Sequence, residues 1–223
     1  MGTLYLVRHG QASFGAADYD QLSDLGARQC RRLGEYFLSR GRRFEAVLTG
    51  TLRRHAQSYA AIAEGLQGDA PEALRWPGLD EYDSHALISA IHPEPLGRAD
   101  TPEAFRHHFR LLREGLKRWM AGETAPHGLP TYPEFAAGVV AALDHVRARH
   151  AGEVLIVSSG GPISTAVGQL LGTRPETTIE LNFRIRNSSV TEFAFTPSRH
   201  ALVTYNTLPH LDDPQYADWV TFA

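Results

Sequence analysis

The chain predicts an α/β fold in which a mostly parallel sheet is wrapped by helices, and three observations carry that prediction. Leu4-Tyr5-Leu6-Val7 is an unbroken apolar run of strand-forming residues that ends in Arg8-His9-Gly10. Strand-like and helix-like segments alternate behind it. A second such run, Val154-Leu155-Ile156-Val157, ends in the turn Ser158-Ser159-Gly160-Gly161. Strands that are apolar throughout are buried on both faces, as parallel sheets are. Such sheets present their chemistry outside the carboxyl ends of the strands, so the reactive groups are expected there.

Each element follows from a local signal. Residues 11–21 are polar and glycine-bearing, a loop lying over the first strand end. Ser23 is placed to cap a helix whose apolar face is Leu25, Leu33, Tyr36 and Phe37, with Gly41 where a helix C-terminus ends. Ala46-Val47-Leu48 is a short strand, and Thr51 can cap a helix running to about Leu66. Residues 67–77 read as a connection, and Gly78-Leu79-Asp80-Glu81-Tyr82 as a loop carrying a carboxylate. Between Ser84 and Pro130 one helix is clear, started by Thr101-Pro102-Glu103 and stopped at Gly122. Pro133 opens a helix to about His150; the strand Val154 to Ser158 and a helix from Pro162 to Leu171 follow. Ser188 to Phe195 and Ala201 to Tyr205 alternate as two edge strands joined through Thr196-Pro197-Ser198.

Composition bounds the function. With 223 residues and 43% hydrophobic content the chain buries a substantial core in one domain spanning residues 1–223. A net charge of −3, from 22 basic and 25 acidic residues, gives no electrostatic reason to expect nucleic acid or a membrane surface as partner. The single cysteine, Cys30, falls within a helix as a small core or helix-face residue and has no internal partner. No apolar segment approaches the roughly 20 residues that span a bilayer. A soluble cytoplasmic protein is expected. The oligomeric state is not legible.

The chemistry starts at His9. A neutral imidazole is a competent nucleophile, Arg8 beside it is a permanent cation whose planar fork fits phosphate oxygens, and Gly10 admits close backbone approach. Together they point to phosphoryl chemistry. Leu22-Ser23-Asp24-Leu25-Gly26-Ala27-Arg28-Gln29 and Thr51-Leu52-Arg53-Arg54-His55-Ala56-Gln57-Ser58 open helices, and Ser158-Ser159-Gly160-Gly161 ends a strand. With these pieces in this order, the chain from Leu4 to about Leu211 resembles the small single-domain branch of the histidine phosphatase superfamily, also called phosphoglycerate mutase-like. The resemblance implies a three-layer α/β/α sandwich with a helical cap over the site at about residues 82–132. It implies a metal-independent phosphatase without cofactor, acting on a small phosphorylated substrate.

By resemblance His9 becomes transiently phosphorylated and Arg8 holds the phosphate. Of the adjacent arginines, the family pattern picks Arg54 as phosphate ligand; neighbours on a helix differ by about 100 degrees, so Arg53 points elsewhere. Glu81 matches the proton donor to the leaving oxygen, with Asp80 or Asp83 as substitutes if the loop register shifts.

Two positions depart from the pattern. The family places a second histidine where Ser159 stands, and loss of such a donor costs on the order of 10²–10³ in rate. Ser159 and the Gly160 turn can still face phosphate at a helix N-terminus. Gly15 stands where an asparagine is common, with Ser13 as a nearby substitute. His55, His85, His92 and His210 are the candidates to replace the missing imidazole. No histidine pair has metal-ligand spacing with a carboxylate beside it. Arg106, Arg110, Arg113 and Lys117 form a basic stripe beside Phe105, Phe109, Leu112 and Leu116, which on a cap would favour multiply anionic substrates. The rivals to the phosphatase reading are a relative that binds a phosphorylated ligand without turnover, and a mutase. Glu81-Tyr82-Asp83-Ser84-His85 does not match the basic and aromatic motif that dedicated mutases carry after the glutamate.

Overall fold

A computed structural model describes residues 1–13, 20–68, 70–94, 96–97 and 101–222. The elements are β1 (Gly2–Arg8), α1 (Asp24–Ser39), β2 (Phe44–Thr49), α2 (Arg53–Gly65), β3 (Ala73–Arg75), α3 (Ser84–Ser89), α4 (Pro102–Met120), α5 (Tyr132–Arg149), β4 (Glu153–Ser158), α6 (Gly160–Leu171), α7 (Pro175–Arg184), β5 (Val190–Thr196) and β6 (Arg199–Thr207). The strands make one sheet in the order β3-β2-β4-β1-β5-β6. β1 to β4 run parallel, with Leu4 opposite Val154 and Arg8 opposite Ser158, while β5 runs antiparallel to β1. The two late strands do lie at the sheet edge, with β6 outermost.

Alternation along β1 builds the layers. Leu4 and Leu6 point to one face, where they meet Val139, Leu143 and Val146 of α5 and Ile163 and Val167 of α6. Tyr5 and Val7 point to the other, against Cys30, Leu33 and Phe37 of α1 and Ile62 of α2. The sheet is therefore the middle of three layers. Cys30 is a buried core residue.

The helix signals resolve individually. Ser23 caps α1 by accepting the Gly26 N–H, and Gly41 follows it in the left-handed region at φ +67°. Thr101 caps α4, and Thr131 and Glu134 form a reciprocal capping box on α5. Thr51 does not cap α2. Its N–H and hydroxyl go to Asp80, and the first N–H groups of α2, from Arg53 and Arg54, are taken by the Asp20 carboxylate at 2.8 and 3.3 Å. The connection over residues 67–77 contains β3, which pairs with β2 for three residues. α3 and α7 were not anticipated, and α6 begins at Gly160, two residues before the expected Pro162.

The 82–132 stretch carries α3 and α4 and has an apolar cluster of its own. Tyr82, Leu87, Ile88, Leu112, Leu116 and Trp119 pack together and against Ile179 of α7. The Trp119 indole N–H donates to the Pro130 carbonyl at 3.0 Å. Tyr82 and Leu112 of this cluster line the same cavity as Arg8 at the end of β1.

Two close backbone approaches set how the α1 layer meets the site. A Cβ on Gly26 would fall 2.1 Å from the Gln11 carbonyl oxygen, so the first turn of α1 rests directly on the loop after His9. At the α1–α2 crossing, a Cβ on Gly34 would fall 2.1 Å from the Ile62 carbonyl oxygen. Gly34→Ala gains roughly 1 kcal/mol of helix propensity in isolation. In the fold the overpacking outweighs it, and we expect a net destabilisation of about 1–3 kcal/mol. Urea unfolding measures this, and a variant as stable as wild type would contradict the crossing.

Candidate active site

β1 delivers Arg8 and His9 to its carboxyl end, where neighbouring backbone pins them. The His9 N–H donates to the Ser158 carbonyl at 2.8 Å, and the His9 carbonyl accepts the Ser188 N–H at 3.1 Å. The Gly10 N–H donates to Ser58 Oγ at 3.1 Å, and that hydroxyl donates to the Arg54 carbonyl at 2.7 Å. α2 thus positions both the His9 loop and Arg54.

The His9 ring is buried, with Nδ1 2.7 Å from the Gly10 carbonyl oxygen. A carbonyl only accepts, so Nδ1 carries the proton and Nε2 keeps its lone pair. Burial holds the imidazole well below its ordinary pKa of 6.5, and the charges of Arg8 and Arg54 push the same way. The ring is neutral at pH 7, the state a nucleophile needs.

Arg8, His9, Arg54 and Glu81 line one cavity of about 970 Å³. Arg8 is buried and donates from Nη1 to the Ile185 carbonyl at 2.6 Å. Arg54 is buried and donates from Nη1 to Asp20 Oδ1 at 2.9 Å, while Arg53 is exposed, as the helix geometry required. Glu81 is partly buried, its carboxylate accepting the Gly161 N–H at 3.1 Å and the Tyr82 N–H at 3.2 Å. Burial raises its pKa, with the Gly161 bond and the nearby arginines opposing. The acceptor at the α6 N-terminus is thus the Glu81 carboxyl group.

Ser159 and Gly160 are buried. Ser159 Oγ lies 2.7 Å from His55 Nε2, and His55 Nδ1 lies 3.6 Å from Asp80 Oδ1, an ion-pair rather than a hydrogen-bond distance. The His55 ring is 5.8 Å from that of His9, centroid to centroid. Burial lowers the pKa of His55 while Asp80 opposes. For Asp80 burial raises the pKa, but His55 and the Thr51 donors more than offset it. Asp83 caps α3 instead, accepting the His85 and Ala86 N–H groups.

The other histidine candidates lie elsewhere. His85 is exposed on α3, His92 bonds the Glu94 carbonyl, and His210 is buried against Ser188 Oγ at 2.9 Å. The Ser13 hydroxyl donates to the Leu22 carbonyl at 3.1 Å. Gly15 lies outside the described residues. Among the described residues, no group of three or more histidine, cysteine, aspartate or glutamate side chains is placed to hold a metal ion. No helix among them is long and apolar enough to cross a membrane.

Sequence reasoning missed Asp20, whose carboxylate closes the α2 N-terminus and pairs with Arg54, and it did not foresee Asp80 behind His55. The four residues of the basic stripe all lie exposed on α4. Arg113 reaches the cavity but is paired to Glu180, Arg106 is paired to Glu103, and Arg110 and Lys117 are exposed. It is Phe105, Phe109 and Leu112, from the apolar face, that line the cavity.

Residues 4–208 match the family model described as histidine phosphatase superfamily (branch 1). A Hydrogenobacter thermophilus protein named as a candidate phosphoserine phosphatase 2 is 28% identical over 222 residues, covering 94% of this chain and 98% of its own. Among solved structures, Bacillus stearothermophilus YhfR superposes with a TM-score of 0.69 at 18% identity, covering 94% of this chain and 99% of that one. Phosphoserine phosphatase from Entamoeba histolytica, in complex with 3-phosphoglyceric acid, superposes at 0.62 with 22% identity, covering 95% and 100%.

The buried imidazoles set a pH dependence. His9, His55 and His210 are all depressed by burial, His210 to about 3. The unfolded chain takes up protons at these sites near 6.5 that the folded chain refuses, so stability falls as pH drops below that value. Each group contributes up to about 1.4 kcal/mol per pH unit. Glu81, raised, acts in the opposite sense but is one group against three. The urea midpoint should drop between pH 7 and 5, and less steeply in His210→Gln; a flat profile would mean that these rings are charged in the fold.

Proposed function

Because the chain belongs to the histidine phosphatase superfamily, we propose that it hydrolyses phosphomonoesters through a phosphohistidine on His9, without a metal. The observation that carries this reading is the neutral, buried His9 ring, its Nδ1 committed to Gly10, in one cavity with two guanidinium groups and a carboxyl of raised pKa.

His9 Nε2 attacks phosphorus while the bond to the ester oxygen breaks. Glu81, protonated, gives its proton to the departing alkoxide. Water then attacks the phosphohistidine, yielding its proton to the Glu81 carboxylate, and inorganic phosphate leaves with His9 and Glu81 restored. Arg8 and Arg54 bind the non-bridging oxygens throughout and offset the charge that develops on them. Ser13 and the Gly160 N–H stand on the same reading as further phosphate contacts.

Ser159 takes the position of the family's second histidine, and His55 supplies the imidazole through it. When a phosphate dianion arrives, His55 takes a proton from solvent, with Asp80 stabilising the imidazolium. Nε2–H then donates to Ser159 Oγ, whose own hydrogen turns to a phosphate oxygen. Ser159 therefore passes on a charge it does not carry. This favours turnover over the binding-only alternative that Ser159 and Gly15 suggest. Mutase chemistry remains second, since nothing in Tyr82-Asp83-Ser84-His85 supplies the extended motif.

Two experiments test this. With an aryl phosphate, wild type should turn over and form an acid-labile phosphoenzyme that quenching traps. His9→Ala should lose both, with turnover down about 10³-fold or more. Tight phosphate binding by wild type without turnover of any ester would instead establish the binding protein, and phosphate exchange on a glycerate without release would establish the mutase. His55→Ala should lower kcat about 10²–10³-fold, and adding Ser159→His to it should recover at least about tenfold of that. If His55→Ala retains wild-type kcat, or the double variant recovers nothing, the assignment of His55 is wrong.

A further inference from the structure

Above the phosphate end, the cavity changes character. Its wall is formed by Phe105, Phe109 and Leu112 of α4, Phe183 at the end of α7, Ile185 just after it, and Phe222 near the C-terminus. Two of these aromatic groups keep much of their surface exposed, Phe105 39% and Phe222 53%. Phe105 and Phe109 lie 4.5 Å apart between centroids, and Phe109 meets Phe183 edge to face at 5.6 Å. The volume of about 970 Å³ stands near the top of the roughly 300–1,000 Å³ range of pockets for drug-sized ligands.

The charged groups on this wall are largely spoken for. Arg113 pairs with Glu180 and lies over the Phe183 ring at 4.9 Å. His108 is lowered by burial and by His107, which leaves it neutral at pH 7. Asp83, at the cavity edge, would repel a carboxylate on the leaving group. Arg184 remains at the exposed rim. A small amino or hydroxy acid phosphate would leave most of this aromatic surface uncovered.

We propose that the preferred substrates are phosphomonoesters of bulky apolar or aromatic alcohols, whose leaving group packs between α4, Phe183 and Phe222. This rests on the phosphatase reading above and departs from the substrate in the name of the Hydrogenobacter relative. The phosphate supplies the anchor at Arg8 and Arg54. The apolar wall then discriminates among alcohols by the surface it covers, and one methylene against such a wall is worth about 10–200-fold in kcat/KM where the fit is close.

A series of n-alkyl phosphates from ethyl to octyl tests this with leaving groups of nearly equal basicity, so intrinsic reactivity does not vary. The kcat/KM should rise at least about tenfold from ethyl to hexyl, exceed that for phosphoserine and 3-phosphoglycerate, and rise less steeply in Phe109→Ala. A flat series, or phosphoserine preferred over the hexyl ester, would overturn the proposal. Calorimetry with ethyl- and hexylphosphonate, which are not hydrolysed, reads the wall without turnover. Binding that strengthens with chain length while no ester is hydrolysed would remove the phosphatase reading and keep the cavity assignment; binding independent of chain length would remove the cavity assignment itself.

Discussion

Everything near the site answers to one electrostatic constraint: two buried guanidinium groups stand beside an imidazole that stays uncharged. A protonated His9 between Arg8 and Arg54 would add a third cation in a desolvated place, and burial together with those two charges keeps the ring neutral against the opposing pull of the Gly10 carbonyl on Nδ1–H. The arginines are held in place by acceptors from other parts of the chain. Arg8 donates to a neutral carbonyl at Ile185, and Arg54 shares with the α2 N-terminus a carboxylate, Asp20, that is itself open to solvent. The arrangement is suited to an anion with several acceptor oxygens arriving from the cavity, because such a group meets both forks at once.

The same constraint explains Glu81. A carboxylate in ordinary solvent would neutralise the cradle and compete with a phosphate. Burial raises its pKa against the pull of Arg8 and Arg54, and the N–H groups of Gly161 and Tyr82 fix its two oxygens in place. On the proposed mechanism the two shifts are complementary: burial moves the imidazole toward its basic form and the carboxyl toward its acidic form. One environment thus prepares both partners of a proton-coupled displacement near neutral pH.

What could be read from the sequence was what local chemistry encodes. Leu4 to Gly10 declared a buried strand and its payload, Ser23 and Thr101 declared helix starts, and helical geometry separated Arg54 from Arg53. Long-range pairings were not legible. Asp20 reaches Arg54 across 34 residues and Asp80 stands 25 beyond His55, and no spacing rule links them. Thr51 looked like a cap because its type and position were right, yet Asp80 competes for the same hydroxyl. β3 is three residues long, too short for periodicity to register, while α7 did carry a signal in Pro175-Glu176 at its first turn. The α4 stripe shows a different limit: periodicity told which residues share a face, but not which face meets the site.

That last limit bears on how substrate is inferred within this superfamily. The residues that resemble the family's motifs concern, on the proposed mechanism, the phosphoryl group, which every phosphomonoester shares. On the proposed reading the leaving group is met by α4, α7 and the C-terminal segment, where Phe105, Phe109, Phe183 and Phe222 line the cavity and contribute no motif at all. A relative at 28% identity is informative about the fold and weakly so about the alcohol, because function resides in the particular side chains of a site and not in the fold that carries them. The polarity of the cap wall is therefore the more direct guide to the alcohol. In this chain that wall is aromatic, and Arg113, which lies over the Phe183 ring, is paired to Glu180.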